Sequence, residues 1–262
     1  MKAKTDIAHR ALRPDMGLID PENTRTLPGV VVACSGFDVL SHALESFTAL
    51  PFNKRVAPEH PGARPSYQGS NSISDIWALK AAGIGAKYIV RAAQGSTDHE
   101  AKGQMLLAAT YAGVGFGNAG CHVPHGMSYA VSGMVKNFVA DGYPVNHPLV
   151  PHGMSVILNA PAVFRFTAPT NPQRHLKVAE VMGPDITEAM NDDAGEVLSG
   201  LLIELIQALG LPNGLSAVGY ERNDVSQLTT GTMPQQRVLR ISPRPVTDND
   251  IHQLFLDSLV IW

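Results

Sequence analysis

Asp38 and His42 stand four residues apart in the run Asp38-Val39-Leu40-Ser41-His42. On an α-helix that spacing puts a carboxylate and an imidazole on one face, one turn apart, near enough to share a metal ion. Alone the pair carries little weight, because Asp-x3-His arises by chance and an exposed i,i+4 pair is the ordinary alternative. Its company raises it: Val39, Leu40 and Ala43 flank it, so the pair points near the core, where a half-buried carboxylate needs a cation or donors. Further along, four of the ten histidines (His122, His125, His147 and His152) crowd into one segment. Two of them lie in copies of Pro-His-Gly-Met-Ser, at 124–128 and 151–155. A proline suits the first turn of a helix, so each copy places a histidine at a helix start. One carboxylate with two or three imidazoles makes an N3O donor set suited to Fe²⁺ or Zn²⁺. The lack of nearby thiols argues against a structural zinc finger. The ordinary alternatives are helix caps for the Pro-His-Gly histidines and surface polarity for the cluster.

The elements that must position these groups read as helices. Val30 to Leu50 carries Val39, Leu40, Ala43, Leu44 and Phe47 on one stripe, the pattern of an amphipathic helix. A Pro/Gly-rich loop, Pro51 to Ser70, follows. Ser72-Ile73-Ser74-Asp75 caps a helix running to about Ala93, and Ser96-Thr97-Asp98 caps another running to about Val114. Gly113, Gly115, Gly117 and Gly120 predict close packing or a tight turn. Further helices are expected at 124–133, 151–165, 172–182, 192–209, 224–232 and 247–260. Met16 to Ile19 reads as one short strand closed by Asp20-Pro21, and no later segment offers it a partner. The expected fold is mainly α: one helical domain over 28–262, with 1–27 as the remnant end of something else.

Composition narrows the classes. Hydrophobic residues make up 44% of the 262 and charged residues 16%, which excludes a disordered or collagen-like chain. Lys and Arg number 20 against 23 Asp and Glu, a formal charge of −3. There is no basic surplus to neutralise phosphates, so a general nucleic-acid binder is excluded. Two cysteines, Cys34 and Cys121, make no disulfide framework and fit a reducing compartment. No apolar run approaches the roughly 18–20 residues of a bilayer span, and Met1 to Asp6 lacks the apolar core of a secretory leader. The expectation is a soluble intracellular protein with no membrane partner.

Longer motifs resemble a known family. Gly36-Phe37-Asp38-Val39-Leu40-Ser41-His42-Ala43-Leu44-Glu45-Ser46-Phe47 resembles the metal-ligand helix of the iron-containing (group III) alcohol dehydrogenases. Gly115 to Tyr129, through Cys121-His122-Val123-Pro124-His125-Gly126, and His147 to Gly153 are similar to one branch, the hydroxyacid-oxoacid transhydrogenases. Arg64 to Trp77 and Asn213 to Tyr220 support the same branch. The resemblance runs from about residue 2 to Trp262.

It implies the C-terminal helical metal-binding domain of the dehydroquinate synthase-like fold, with 1–27 as the end of an N-terminal α/β cofactor domain. It also implies a divalent metal, Fe²⁺ or else Zn²⁺, held by Asp38, His42, His125 and His152. The implied chemistry is hydride transfer between small hydroxyacids and oxoacids: 4-hydroxybutyrate reduces a retained nicotinamide, NAD(H), and 2-oxoglutarate reoxidises it. A homo-oligomer and, for a eukaryotic source, a mitochondrial location fit the same resemblance. Alcohol dehydrogenases of this family carry a further histidine where Tyr129 stands, and the transhydrogenase branch lacks it. Tyr129 and His122 are therefore the expected catalytic groups beside substrate. No Gly-rich loop follows a strand, so the cofactor's phosphate site is not encoded here, and residues 1–262 alone are expected to be inactive. The competing readings are a non-catalytic helical metal-binding remnant, another iron-type alcohol dehydrogenase, or a metallohydrolase. The last would need Glu45 as general base, and Glu45 reads instead as a helix-surface charge.

Overall fold

The computed structural model describes Lys4, residues 10–12 and residues 14–262, so the reading of Met1 to Asp6 falls, Lys4 apart, outside the described residues. Eleven α-helices follow in order among the described residues. The first three are α1 (Gly29–Thr48), α2 (Ser72–Gln94) and α3 (His99–Ala119). Then come α4 (Val123–Gly133), α5 (His152–Ile157), α6 (Ala160–Thr167) and α7 (Pro172–Met182). The C-terminal part holds α8 (Ala194–Ala208), α9 (Val225–Thr232), α10 (Gln236–Leu239) and α11 (Asp248–Asp257).

Helix starts follow side-chain chemistry. The Asn71 side chain accepts from the amides of Ile73 and Ser74 and opens α2. Asp98 accepts from Ala101 and opens α3, satisfying amides that would otherwise lack partners. α1 is the centre of the bundle, packed against α2, α3 and α5. Its stripe of Phe37, Leu40, Ala43 and Leu44 is fully buried, at about 1.5–3 kcal/mol for each large side chain removed from water. On α2 the facing residues are Ala78, Ala81, Ala82 and Gly85. A Cβ at Gly85 would press on Leu40, so these small residues let the two helices close together.

Three expectations are corrected. Met16 to Ile19 joins no ladder: Met16 and Leu18 are 86% and 93% exposed, and among the described residues pairing is limited to isolated bridges, Pro51 with Ser70 and Val139 with Leu149. An extended segment without a neighbouring strand has nothing to receive its ladder groups. The single helix expected over 151–165 is two, α5 and α6. Pro161 sits in the first turn of α6 and cannot donate back to Ile157, so the first helix ends there. Finally, α1 is long and apolar enough to cross a membrane, although most of it is buried inside the protein. Its glycine, serine and titratable residues break up the apolar run in the sequence, and its burial is that of a core helix.

Candidate metal centre

Three helix segments meet at the Asp38 carboxylate. α1 presents Asp38 and His42 from successive turns, α4 brings His125 in its first turn and α5 brings His152 as its first residue. The approach of α5 depends on Gly153: a Cβ there would stand inside the contact distance of the Cys34 carbonyl oxygen on α1 and press on the Asp38 side chain. Glycine after the histidine lets the helix start lie directly on α1. The two Pro-His-Gly segments are thus the two helix starts that deliver imidazoles to Asp38.

Asp38 Oδ1 lies 3.3 Å from His125 Nε2, 3.6 Å from His152 Nε2 and 3.8 Å from His42 Nδ1. Oδ1 and His125 Nε2 are both buried and neither makes a hydrogen bond. Two such atoms facing each other unsatisfied would cost about 1–3 kcal/mol apiece. Donors bound to one ion at about 2.0–2.2 Å stand roughly 3–4 Å from each other, the spacing found here. The donor set therefore fits a divalent metal. Burial alone would raise the Asp38 carboxyl, but His42, His125 and His152 outweigh it and hold the group well below the ordinary carboxylate range. Burial, aided by His125, pushes His42 down to about 4. Both effects favour the ligand-competent forms, a carboxylate and a neutral imidazole.

Glu45 is fully buried, not a surface charge as its helix position suggested. Its Oε1 lies 2.7 Å from His125 Nδ1, and its Oε2 accepts the His122 backbone amide at 2.6 Å. Nδ1–H donating to Glu45 leaves the Nε2 lone pair directed at Asp38, the arrangement by which an outer carboxylate fixes the tautomer of a metal-binding histidine. Burial opposes charge on both partners. The imidazoles still hold Glu45 below its usual range, and Cys121, Glu45 and Asp38 raise His125 well above its own, so a metal ion frees that lone pair by displacing the Nε2 proton. The signal was present in the sequence, because positions 38, 42 and 45 share one helix face.

His122 is buried, and its Nε2 lies 3.0 Å from the Thr48 hydroxyl. That hydroxyl donates to the Leu44 carbonyl, so His122 donates to it, and burial pushes the imidazole down to about 4. Tyr129 lies nearer the donors, its ring parallel to His152 at 6.1 Å. Arg237 of α10 donates to the Tyr129 hydroxyl at 3.1 Å and lies over the Tyr67 ring at 4.9 Å. Phe116 stacks on His42 at 3.9 Å, and Lys4 Nζ lies 3.2 Å from His152 Nδ1. Sequence reasoning missed Arg237, Tyr67 and Phe116. They reach the site from α10, the 51–70 loop and the end of α3, which no local spacing connects. His147 does not join Asp38, His125 and His152, and lies outside the candidate donor set.

Residues 66–259 match the family model described as Fe-containing alcohol dehydrogenase family, C-terminal. A probable mitochondrial hydroxyacid-oxoacid transhydrogenase of Dictyostelium discoideum is 51% identical over 264 residues, covering all of this chain and 48% of that protein. The mitochondrial hydroxyacid-oxoacid transhydrogenase of Bos taurus is 52% identical over 263 residues, covering all of this chain and 56% of its own length. The chain thus spans about half the length of these relatives. The iron-containing alcohol dehydrogenase of Thermococcus thioreducens superposes with a TM-score of 0.74 at 24% identity, over 97% of this chain and 57% of that one, which shows a shared fold. On the match to its C-terminal model, the chain belongs to the Fe-containing alcohol dehydrogenase family.

Proposed function

We propose that this chain is the metal-binding helical half of a hydroxyacid-oxoacid transhydrogenase, with 28–262 as the helical domain and 1–27 as the end of an α/β cofactor domain. The observation that carries the reading is the convergence of three imidazoles on the unbonded Asp38 Oδ1. Asp38, His42, His125 and His152 would hold a divalent ion, Fe²⁺ in the first place and Zn²⁺ as the alternative. That ion supplies Lewis-acid polarisation of an alcohol or carbonyl oxygen. The relatives named hydroxyacid-oxoacid transhydrogenase support a hydroxyacid and an oxoacid as the substrate classes, 4-hydroxybutyrate and 2-oxoglutarate being the pair proposed here, and their names support a mitochondrial location.

The remaining roles fall to the chain's own residues. Tyr129 presents a hydroxyl held by Arg237 next to His152, where it can donate to a substrate oxygen. Arg237 offers a planar, permanently charged donor to a substrate carboxylate. His122, bonded to Thr48 and placing its amide on Glu45, positions Glu45 and through it His125. Nicotinamide binding requires a phosphate-anchoring turn, which belongs to the α/β domain.

The test is the exchange reaction itself, 4-hydroxybutyrate with 2-oxoglutarate, in an enzyme joining residues 1–262 to the α/β half of a relative. Turnover abolished in His152→Ala supports the reading, as does a hydroxyacid KM raised about 10–100-fold in Arg237→Met, the scale for losing a charge-assisted hydrogen bond. Metal binding without any exchange would instead favour the non-catalytic reading. Oxidation of simple alcohols in place of hydroxyacids would assign another dehydrogenase of the family.

A further inference from the structure

A thiol stands at the same centre. α3 ends at Ala119, and Gly120 follows at φ 95°, a conformation that L side chains rarely adopt. A Cβ at Gly120 would collide with Ile241 and Tyr67, so the turn is drawn tightly against the segment just after α10 and the 51–70 loop. The turn delivers Cys121 into the gap between α1 and α4, where the residue is 2% exposed. There its sulfur and one ring nitrogen each of His42 and His125 lie within 4.8 Å of one another. This second trio shares His125 with the trio of Asp38, His125 and His152. His125 is 1% exposed and its Nε2 has no hydrogen-bond partner, so the residue common to both groups carries an unsatisfied buried nitrogen.

We propose that Cys121 is a further ligand of the metal centre, binding as a thiolate alongside His42 and His125. The proposal rests on the metal-centre reading above and deepens it by bringing sulfur into a set otherwise of oxygen and nitrogen. Coordination forms a metal–sulfur bond and releases the thiol proton to solvent, with no change of oxidation state. A thiolate donor favours thiophilic ions such as Zn²⁺ and Co²⁺ over Mn²⁺, which prefers oxygen donors. The same centre without sulfur would discriminate less.

The chain has two cysteines, and Cys34 is buried on α1 with its thiol hydrogen-bonded to Tyr143. In Cys34→Ser, therefore, any thiolate signal comes from Cys121. The experiment loads wild type and Cys34→Ser with Co²⁺, measures bound cobalt by elemental analysis, and records the near-ultraviolet sulfur-to-cobalt charge-transfer band. Both proteins are expected to bind cobalt and to show the band. Cys121→Ser is expected to keep cobalt and lose the band, and its preference for Zn²⁺ over Mn²⁺ falls on the order of tenfold, the scale seen even for outer-shell partners. If Cys121→Ser does not fold, the first two proteins decide alone. Cobalt bound without the band in Cys34→Ser overturns the thiolate while leaving the metal centre standing. No cobalt bound in wild type overturns both.

Discussion

Replacing Glu45 with glutamine removes a charge and little volume, yet it is expected to weaken metal binding by about 10–100-fold. The carboxylate has two oxygens, and both are committed: one to His125 Nδ1 at 2.7 Å, the other to the His122 amide at 2.6 Å. Glutamine keeps one acceptor oxygen and adds an NH₂ that can only donate. If the oxygen stays with the His122 amide, the NH₂ faces His125 Nδ1. The ring must then carry its proton on Nε2, pointing it at Asp38 where the lone pair is needed. If the amide flips, an NH₂ meets the His122 N–H, and a buried backbone donor is left unmade at about 1–3 kcal/mol. The first arrangement removes the ligand-competent tautomer and the second keeps it only by giving up that bond, and 10–100-fold corresponds to about 1.4–2.7 kcal/mol. The assay is a competitive Zn²⁺ titration of wild type, Glu45→Gln and Glu45→Asp, with circular dichroism as the check on folding. A folded Glu45→Gln with unchanged zinc affinity would refute the tautomer argument.

Gly153→Ala should destabilise the protein by about 3 kcal/mol, the upper end for overpacking, because the added methyl meets the Cys34 carbonyl oxygen and not a side chain that can turn aside; a urea midpoint within error of wild type would contradict the close approach of α5 to α1. His175, fully buried, lies within hydrogen-bond reach of Thr167 and the Asn171 carbonyl, and burial pushes it down to about 4. The unfolded chain takes up a proton near pH 6.5 and the folded chain only near pH 4, so this group's contribution is complete above pH 6.5 and is lost as pH falls through that window, by about 3 kcal/mol in all. Urea unfolding at several pH values should show a shallower acid decline in His175→Gln than in wild type, and parallel declines would count against a neutral buried imidazole.

The helices were legible because their signals are local. The stripe along α1, the Asp98 cap of α3 and the prolines opening α4 and α7 each act within a turn or two of sequence. The break between α5 and α6 was written in Pro161, but the apolar pattern on both sides ran straight through it. The carboxylate and its candidate imidazoles were picked out by type and spacing, and the family resemblance named Asp38, His42, His125 and His152 as the set proposed. Glu45 was read as exposed because its partners, His122 and His125, lie some eighty positions away, and a carboxylate's burial depends on what the rest of the chain folds over it. Cys121 was left out for the same reason, since nothing near it in the sequence announces that His42 lies beside it. Arg237 stands on a four-residue helix too short to show a period.

The central claim is that one divalent ion sits among Asp38, His42, His125 and His152, and anomalous diffraction tests it most directly. Crystals of the Zn²⁺-loaded protein, measured on both sides of the zinc absorption edge, should give one strong difference peak per chain. The peak should lie beside Asp38 Oδ1 and within bonding reach of the three imidazoles, and it should vanish in His125→Ala and His152→Ala. A peak elsewhere, or one that persists at full height in both variants, would contradict the account.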